Sequence, residues 1–411
     1  MFRGKLPQYI LFCAGSFGTM QSGFNLGWPS FALPQLLNDT SAIPLTQDEG
    51  SWIASAFSIG TVFGSILSGF ALDAFGRKRM LLLGGSLLLV VWNINGIIFS
   101  SVPLYLAEVS DPKIRGFLIT GTTTAYVAGL FLTNLLGTFF SIATVATIFC
   151  VLSLGIYLCL MIPESPYFYI IKNNESMIRF SMEVFNKSDD IDRLRNALKD
   201  QKETGGNWTE LFTVVSNRKS LWLIIACRLF QQLCGSICLI FYAQTIFHKV
   251  IVLIINGMIV DKIGRRPLLV ASMSTITVAL LIISVYFCLQ NMTEIKMAAY
   301  SWCPVVGLFL YIIGYSLGLQ NVLYLLLNEI FPLHVKSAAV AIFSVVFGIS
   351  STAVTKFFQY TKDEYGLHVP FVAFLICSAI GVPFFWFCIP ETKKQTLEAI
   401  EKRIRCKDTH L

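Results

Sequence analysis

Long apolar runs separated by short polar breaks occupy nearly the whole chain. They fall at about 9–33, 51–72, 80–107, 117–140, 142–162, 221–247, 249–260, 267–289, 298–326, 337–357 and 370–389. About 20 apolar residues at 1.5 Å each cross about 30 Å of hydrocarbon, so most of these runs predict membrane-spanning helices. Two have the wrong length. Residues 80–107 give one crossing with a surplus. Residues 249–260 reach only about 18 Å and are too short to span alone. The one long polar segment, 163–220, reads either as short amphipathic helices at the cytoplasmic surface or as a solvated linker between two halves.

Composition settles the class. Of 411 residues, 55% are hydrophobic and 13% charged, against about 25% charged in a typical soluble domain. That rules out a disordered chain and leaves too little polar surface for a soluble one of this size. The expected class is an all-α polytopic membrane protein, with the lipid bilayer as its solvent. The first apolar run is too long for a cleaved signal and reads as a retained anchor. The 11 cysteines form no CxxC pair, and His248, His334, His368 and His410 are scattered, so no metal site is expected. There is no Ser/His/Asp set and no phosphate-binding glycine loop. An enzyme, a cofactor and a nucleic-acid partner are therefore not expected, and no catalytic residue is assigned.

The net charge of +7 matters through its placement. Lysine and arginine gather at the N-terminus, at 77–79, at 113 and 115, in 163–220, at 262–266, at 336 and in the tail from 393. The loop from Pro34 to Gly50 has none, but carries Asp39, Asp48 and Glu49. Positive charge marks the cytoplasmic side, so both termini and the central loop are placed inside and 34–50 outside. Asn38 and Asn291 head glycosylation sequons on predicted outer loops. Asn174, Asn186 and Asn207 head sequons on the basic central loop, where they are expected to stay unmodified.

An internal repeat organises the chain. Gly69-Phe-Ala-Leu-Asp73-Ala-Phe-Gly76-Arg77-Lys78 matches Gly257-Met-Ile-Val-Asp261-Lys-Ile-Gly264-Arg265-Arg266. Glu108 with Arg115 matches Glu329 with Lys336, and Pro163-Glu164 matches Pro390-Glu391. Three motifs in one order mean two similar halves, the plan on which many transporters are built. The chemistry suits a cytoplasmic gate. Gly69 and Gly257 allow close helix approach, Asp73 and Asp261 stand where a facing helix begins, and Gly76 and Gly264 allow tight turns. The arginines have Glu108, Glu164, Glu329 and Glu391 as available partners.

This set resembles the sugar porter family of the major facilitator superfamily over nearly the whole chain. Pro103-x-Tyr105-x-x-Glu108, the Pro-Glu-Ser-Pro at 163 and the Pro-Glu-Thr at 390 mark the sugar branch. Gly23-Phe-Asn-Leu-Gly-Trp28-Pro-Ser followed by Ser51-Trp52-Ile53 is similar to the insect facilitated trehalose transporter-like group. The resemblance implies two parallel repeats of nominally six helices, with about 10–11 spans retained here. The implied domains are a helical bundle at 1–162, a cytoplasmic linker at 163–220, a second bundle at 221–390 and a tail at 391–411. It also implies a charge network of Asp73, Arg77, Lys78, Glu108, Arg115, Glu164, Asp261, Arg265, Arg266, Glu329, Lys336 and Glu391.

The repeat also measures what is missing. Asp73 to Glu108 is 35 residues, whereas Asp261 to Glu329 is 68. The third and fourth helices are expected to be collapsed into 80–107, with a junction near Trp92 to Gly96. The eighth is expected to be truncated at 249–260. If 80–107 crosses only once, Glu108 and the basic central loop move outside, against the charge rule. Either that segment turns back on itself, or the chain folds poorly and reaches the plasma membrane weakly.

For a substrate site the resemblance points to Phe230-Gln231-Gln232-Leu233-Cys234-Gly235, similar to the family's Gln-Gln-Leu-Ser-Gly. Amides pair with sugar hydroxyls and rings stack on sugar faces. Tyr242 follows at the outer end, and Tyr324 stands where the family has a Trp beneath the sugar. Thr123 holds the usual helix-five Gln position, and Gln320 and Asn321 are the expected substitutes in a loop that lacks the usual prolines. The usual Asn position is Ile237, and the polar helix-eleven position falls near Phe347 and Gly348. Asn25 reads as a packing amide, and Arg228 as a charge snorkelling to the cytoplasmic edge. Span one has no Asp or Glu, where proton-coupled relatives keep a carboxylate, which favours passive transport. The implied function is facilitative uniport of a sugar, trehalose or a hexose, at the plasma membrane by alternating access. The alternative is a shortened, non-transporting isoform or a gene model lacking exons.

Overall fold

The computed structural model describes residues 5–36, 45–90, 95–111, 114–172, 174–185, 209–242, 264–292, 300 and 302–391. Among them the regular structure is helical throughout. Among the described residues, seven helical segments are long and apolar enough to cross a membrane. Packing divides the chain into two compact units: Met1–Arg218 with Phe331–Val345, and Lys219–Ile330 with Val346–Leu411.

The first unit begins with α1 (Leu6–Leu36), which carries no charged residue. α2 (Gln47–Phe75) starts at a capping box. Thr46 Oγ1 accepts from the Glu49 amide at 3.3 Å, and Glu49 Oε2 accepts from the Thr46 amide at 2.9 Å. The Thr46 amide and hydroxyl, both donating to Glu49 Oε2 at 2.9 Å, hold the Glu49 carboxyl below its ordinary range. α5 (Arg115–Phe139) lies along α1 at backbone contact. A Cβ on Gly23 would stand 1.9 Å from the Tyr126 carbonyl oxygen, and one on Gly129 2.1 Å from that of Met20. α6 (Ile142–Ser153) tightens into a 3₁₀ turn at Leu154–Met161, and Phe149 stacks on Phe24 with centroids 4.2 Å apart.

Between α2 and α5 the single crossing expected for 80–107 is replaced by two antiparallel helices, α3 (Arg77–Val90) and α4 (Asn95–Val109). At 1.5 Å per residue they reach about 21 and 22 Å, short of about 30 Å of hydrocarbon. Such a turn-back at membrane depth survives only under a protein cover. α4 has that cover: every residue but Phe99 is buried. It also lies against α2 so closely that a Cβ on Gly96 would stand 2.2 Å from the Thr61 carbonyl oxygen. Of the two alternatives for this segment, the turned-back one is observed.

The start of the central segment is docked rather than solvated. α7 (Pro166–Ile171) and α8 (Glu175–Val184) pack on the first unit, α7 against α4. Ser181 Oγ donates to the Glu164 carbonyl at 2.7 Å, Gln8 Nε2 to that of Phe185 at 3.4 Å, and Met182 and Phe185 are fully buried. After a short α9 (Glu210–Thr213), α10 (Val215–Leu233) leads into the second unit.

There the run at 221–247 is interrupted. α11 (Ser236–Tyr242) starts after Gly235, whose φ of 78° suits glycine. α12 (Arg265–Met292) packs on α13 (Trp302–Leu317) and α16 (His368–Cys388). The run at 298–326 also breaks, between α13 and α14 (Val322–Ile330). Ser272 Oγ holds that break open, donating to the Gly314 carbonyl at 2.6 Å and accepting from the Leu319 amide at 3.1 Å. α15 (Leu333–Tyr365) begins in the first unit and ends in the second. The short run at 249–260 lies outside the described residues.

Gly96→Leu should destabilise the first unit by about 1–3 kcal/mol or more, the cost of overpacking a contact that cannot part. Thermal unfolding followed by fluorescence-detected size exclusion should show a lower midpoint, with Gly96→Ala in between.

Candidate functional site

A cap organises one edge of each unit. In the first, α2 ends at Gly76, with φ of 102°, and α3 starts at once with unsatisfied amides at its N-terminus. The Glu164 carboxylate fills that position. Its oxygens accept from the Lys78 amide at 2.8 and 3.0 Å and from the Ser165 amide at 2.9 Å. A Cβ on Gly76 would stand 2.3 Å from Glu164 Oε2, so the turn needs glycine for its φ and for space. Burial pushes the Glu164 carboxyl above its ordinary range, opposed by the Lys78 and Ser165 amides and by Arg77. The Lys78 ammonium donates to the Leu160 and Ile162 carbonyls at 3.2 and 2.7 Å.

Arg77 ties three segments together from a side chain only 2% exposed. Nε donates to Glu108 Oε1 at 3.1 Å, one terminal nitrogen meets Asp73 Oδ1 at 2.9 Å, and the other donates to the Leu72 carbonyl at 3.2 Å. Ser165 Oγ donates to the second Glu108 oxygen, and Tyr105 OH to the Pro163 carbonyl. Asp73 Oδ2 accepts from Ser337 Oγ at 2.5 Å, in the first turns of α15, and a Cβ on Gly69 would stand 2.7 Å from that of Ala341.

The second unit repeats the arrangement. Gly264 has a φ of 109°, and the Glu391 carboxylate accepts from the Arg265 and Arg266 amides at 3.0 and 3.1 Å. Arg265 grips Glu329 with both ends of its fork, at 2.7 and 3.2 Å. The Arg266 side chain bonds the Trp386 carbonyl and lies 5.7 Å from that ring's centroid. The pair here is looser, with Arg265 10% and Glu329 25% exposed, against 2% for both Arg77 and Glu108.

The remaining network residues are placed differently. Arg115 donates to the Ser110 carbonyl at 3.5 Å, and Lys336 is buried at the start of α15. Asp261 and Asn38 lie outside the described residues. Asn291 is exposed in the last turn of α12. Ser165 and Ser337 were not singled out from sequence. Ser165 stood inside the Pro-Glu-Ser-Pro motif, whereas nothing local marked Ser337.

In the second unit the amides of α10 and of the α13–α14 break are buried together with tyrosines. Gln231 Nε2 donates to Tyr315 OH at 3.2 Å and to the Leu319 carbonyl at 2.7 Å. Gln232, Gln320 and Asn321 are also buried. Gln232 Oε1 accepts from Ser236 Oγ at 3.3 Å, but its Nε2, Gln320 Oε1 and both amide atoms of Asn321 are buried without a hydrogen-bond partner. Buried polar atoms are nearly always paired in folded proteins, so orphans on neighbouring segments call for a polar guest.

Arg228 corrects the sequence reading. It does not snorkel; it is 2% exposed. It donates to Gln231 Oε1 and, at 3.1 Å, to Tyr324 OH. Its guanidinium carbon lies 5.3 Å from the Tyr324 centroid and 4.4 Å from that of Phe347. Aromatic faces and paired donors replace the water that snorkelling would have reached. Elsewhere, Thr123 bonds its own helix at the Ile119 carbonyl, 3.4 Å away. Tyr242 closes α11, with its side chain outside the described features. Asn25 donates to Asn95 Oδ1 at 3.1 Å, joining α1 to α4.

Comparison with known proteins gives consistent matches. The family model described as Sugar (and other) transporter matches residues 94–403, and that described as Major Facilitator Superfamily matches 12–108. The facilitated trehalose transporter Tret1 of Bombyx mori is 26% identical over 441 aligned positions, covering 97% of this chain and 86% of the relative. The glucose transporter GlcP of Staphylococcus epidermidis is 28% identical over 454 positions, covering 98% of each. Both alignments are longer than this chain's 411 residues, so each relative carries residues that it lacks. Among solved structures, the proton:xylose symporter XylE bound to 6-bromo-6-deoxy-D-glucose matches with a TM-score of 0.80 at 18% identity, covering 96% of this chain and 98% of that one. XylE from E. coli in an inward-open conformation gives 0.70 at 19% identity, covering 96% and 99%.

The burial difference between the two ion pairs sets an expected asymmetry. Arg77→Ala leaves a buried carboxylate and should cost about 3–5 kcal/mol. Arg265→Ala leaves a partly solvated one and should cost about 1 kcal/mol. Thermal melts of the purified variants check the order. Because the raised Glu164 carboxyl favours the protonated form in the fold, its contribution to stability is present at low pH and lost as pH rises through the folded value. Glu164→Gln should flatten that dependence.

Proposed function

The chain belongs to the Sugar (and other) transporter family, and from that membership we propose that it is a facilitative carrier taking trehalose or a hexose across the plasma membrane by alternating access. Like the family, it is a multi-pass membrane protein with the all-α fold of the major facilitator superfamily, and a sugar transporter rather than an enzyme. Within the proposal, bundles at 1–162 and 221–390 are joined by a linker at 163–220, and both termini and the tail from 391 face the cytoplasm. Asn38 and Asn291 are its outer glycosylation positions. The charged residues around Arg77 and Arg265 lock one state of the cycle and release in the other.

The observation that carries the sugar reading is the set of orphaned amide atoms on Gln232, Gln320 and Asn321, all buried in one unit. Sugar hydroxyls donate and accept, so one ring can pair with amide oxygens and nitrogens together. Uniport follows from α1, which offers no side chain on which a proton would ride.

Purified protein in lipid vesicles should take up radiolabelled trehalose or D-glucose saturably and show counterflow. The rate should be the same with and without an imposed pH gradient. Uphill accumulation driven by that gradient would overturn uniport, and no uptake of either sugar would overturn the carrier reading.

A further inference from the structure

The two adjacent glutamines of α10 are not equivalent in this chain. Gln231 has two amide protons, and both are engaged, one with Tyr315 OH and one with the Leu319 carbonyl. Its oxygen accepts from Arg228. Gln232, about 100° further round the helix, has its oxygen on Ser236 and its nitrogen on nothing. Gln320 and Asn321, just past the Leu319 carbonyl that Gln231 holds, likewise present orphaned atoms.

Arg228 creates the difference. It sits three residues before Gln231, so one turn of helix brings its guanidinium over the Gln231 oxygen. The second end of its fork reaches the Tyr324 hydroxyl, 96 residues away in sequence. The rings of Tyr324 and Phe347 flank it, at 5.3 and 4.4 Å. One buried cation therefore fastens α10 to α14 and fixes the ring on which a sugar would stack. A planar fork holds both partners at set angles, which the point charge of lysine does not.

We propose that Arg228 is a positioning residue that removes Gln231 from ligand recognition and leaves Gln232, Gln320 and Asn321 as the amides that meet the sugar. This rests on the carrier reading and deepens it. Gln231 becomes a strut joining α10 to the α13–α14 break. Tyr324 becomes a ring held flat by the guanidinium, with its hydroxyl already occupied.

The test uses the full chain in vesicles with whichever of radiolabelled D-glucose or trehalose the wild type carries, measuring exchange KM and maximal rate beside the thermal midpoint. Gln232→Ala and Asn321→Ala should raise KM about tenfold, the loss of a good hydrogen bond or two, with little change in midpoint. Gln231→Ala should lower the midpoint and the maximal rate while KM stays within about twofold. Arg228→Met frees the Gln231 oxygen and the Tyr324 ring and should change KM, and that change should be smaller, though not absent, in an Arg228→Met/Gln231→Ala double variant. Arg228→Lys should fall between wild type and Arg228→Met. If Gln231→Ala raises KM as much as Gln232→Ala, Gln231 touches the sugar and the proposal is overturned. That comparison needs no Arg228 variant to fold. Failure of the wild type to carry either sugar overturns the carrier reading and the proposal with it, a result distinct from a wild-type rate with an unmoved ranking of variants.

Discussion

One buried ion pair decides how the first half of this chain lies in the membrane. Arg77 opens α3 and Glu108 nearly closes α4, and they meet at 3.1 Å with both side chains 2% exposed. Because they touch, the segment between them leaves and returns on the same side. The central loop, with its nine positive charges, therefore starts on the side from which α3 departed, as the distribution of charge requires. A buried charge without its partner is costly enough that the pairing leaves little freedom to slide. The hairpin is shorter than a bilayer is thick, and the protein cover over α4 makes that tolerable.

The same constraint is written twice. In each unit a glycine with φ above 100° stands immediately before a helix, and a glutamate from a distant segment caps that helix's exposed amides. The capping carboxylate and the arginine that follows the glycine form one device: the cap sets where the helix starts, and the start sets where the guanidinium points. The two copies differ in burial. The Arg265–Glu329 pair is partly solvated and held by a bidentate fork, whereas the Arg77–Glu108 pair is sealed and shares its arginine with Asp73.

Much of this was legible in the sequence. Charges are rare in such a chain, so those that repeat stand out, and Glu108, Glu164, Glu329 and Glu391 could be read as available partners of the arginines without showing which arginine holds which. The cap by Glu164 and Glu391 was visible only as a choice of partner, because the sequence does not say which amide a carboxylate meets. The hairpin was legible as a run too long for one crossing and, through the charge rule, as one of two alternatives, but an apolar run carries no sign of direction that would choose between them. Arg228 was misread for a physical reason. Snorkelling is judged from a residue's depth along its own helix, and the rings that enclose this one come from Tyr324 and Phe347, far along the chain. Likewise Gln231 and Gln232 are adjacent and chemically identical, and only the packing around α10 separates the occupied amide from the open one.

Because 80–107 turns back, the chain on either side of the hairpin shares one face of the membrane. Sided labelling tests it most directly. Single cysteines in place of the exposed Arg79, before the hairpin, and the exposed Lys172, beyond it, are offered a membrane-impermeant maleimide in cells and in inverted vesicles, on a background lacking the exposed Cys13, Cys150 and Cys388. Both should label only in inverted vesicles. Labelling of Arg79→Cys from one face and Lys172→Cys from the other would contradict it.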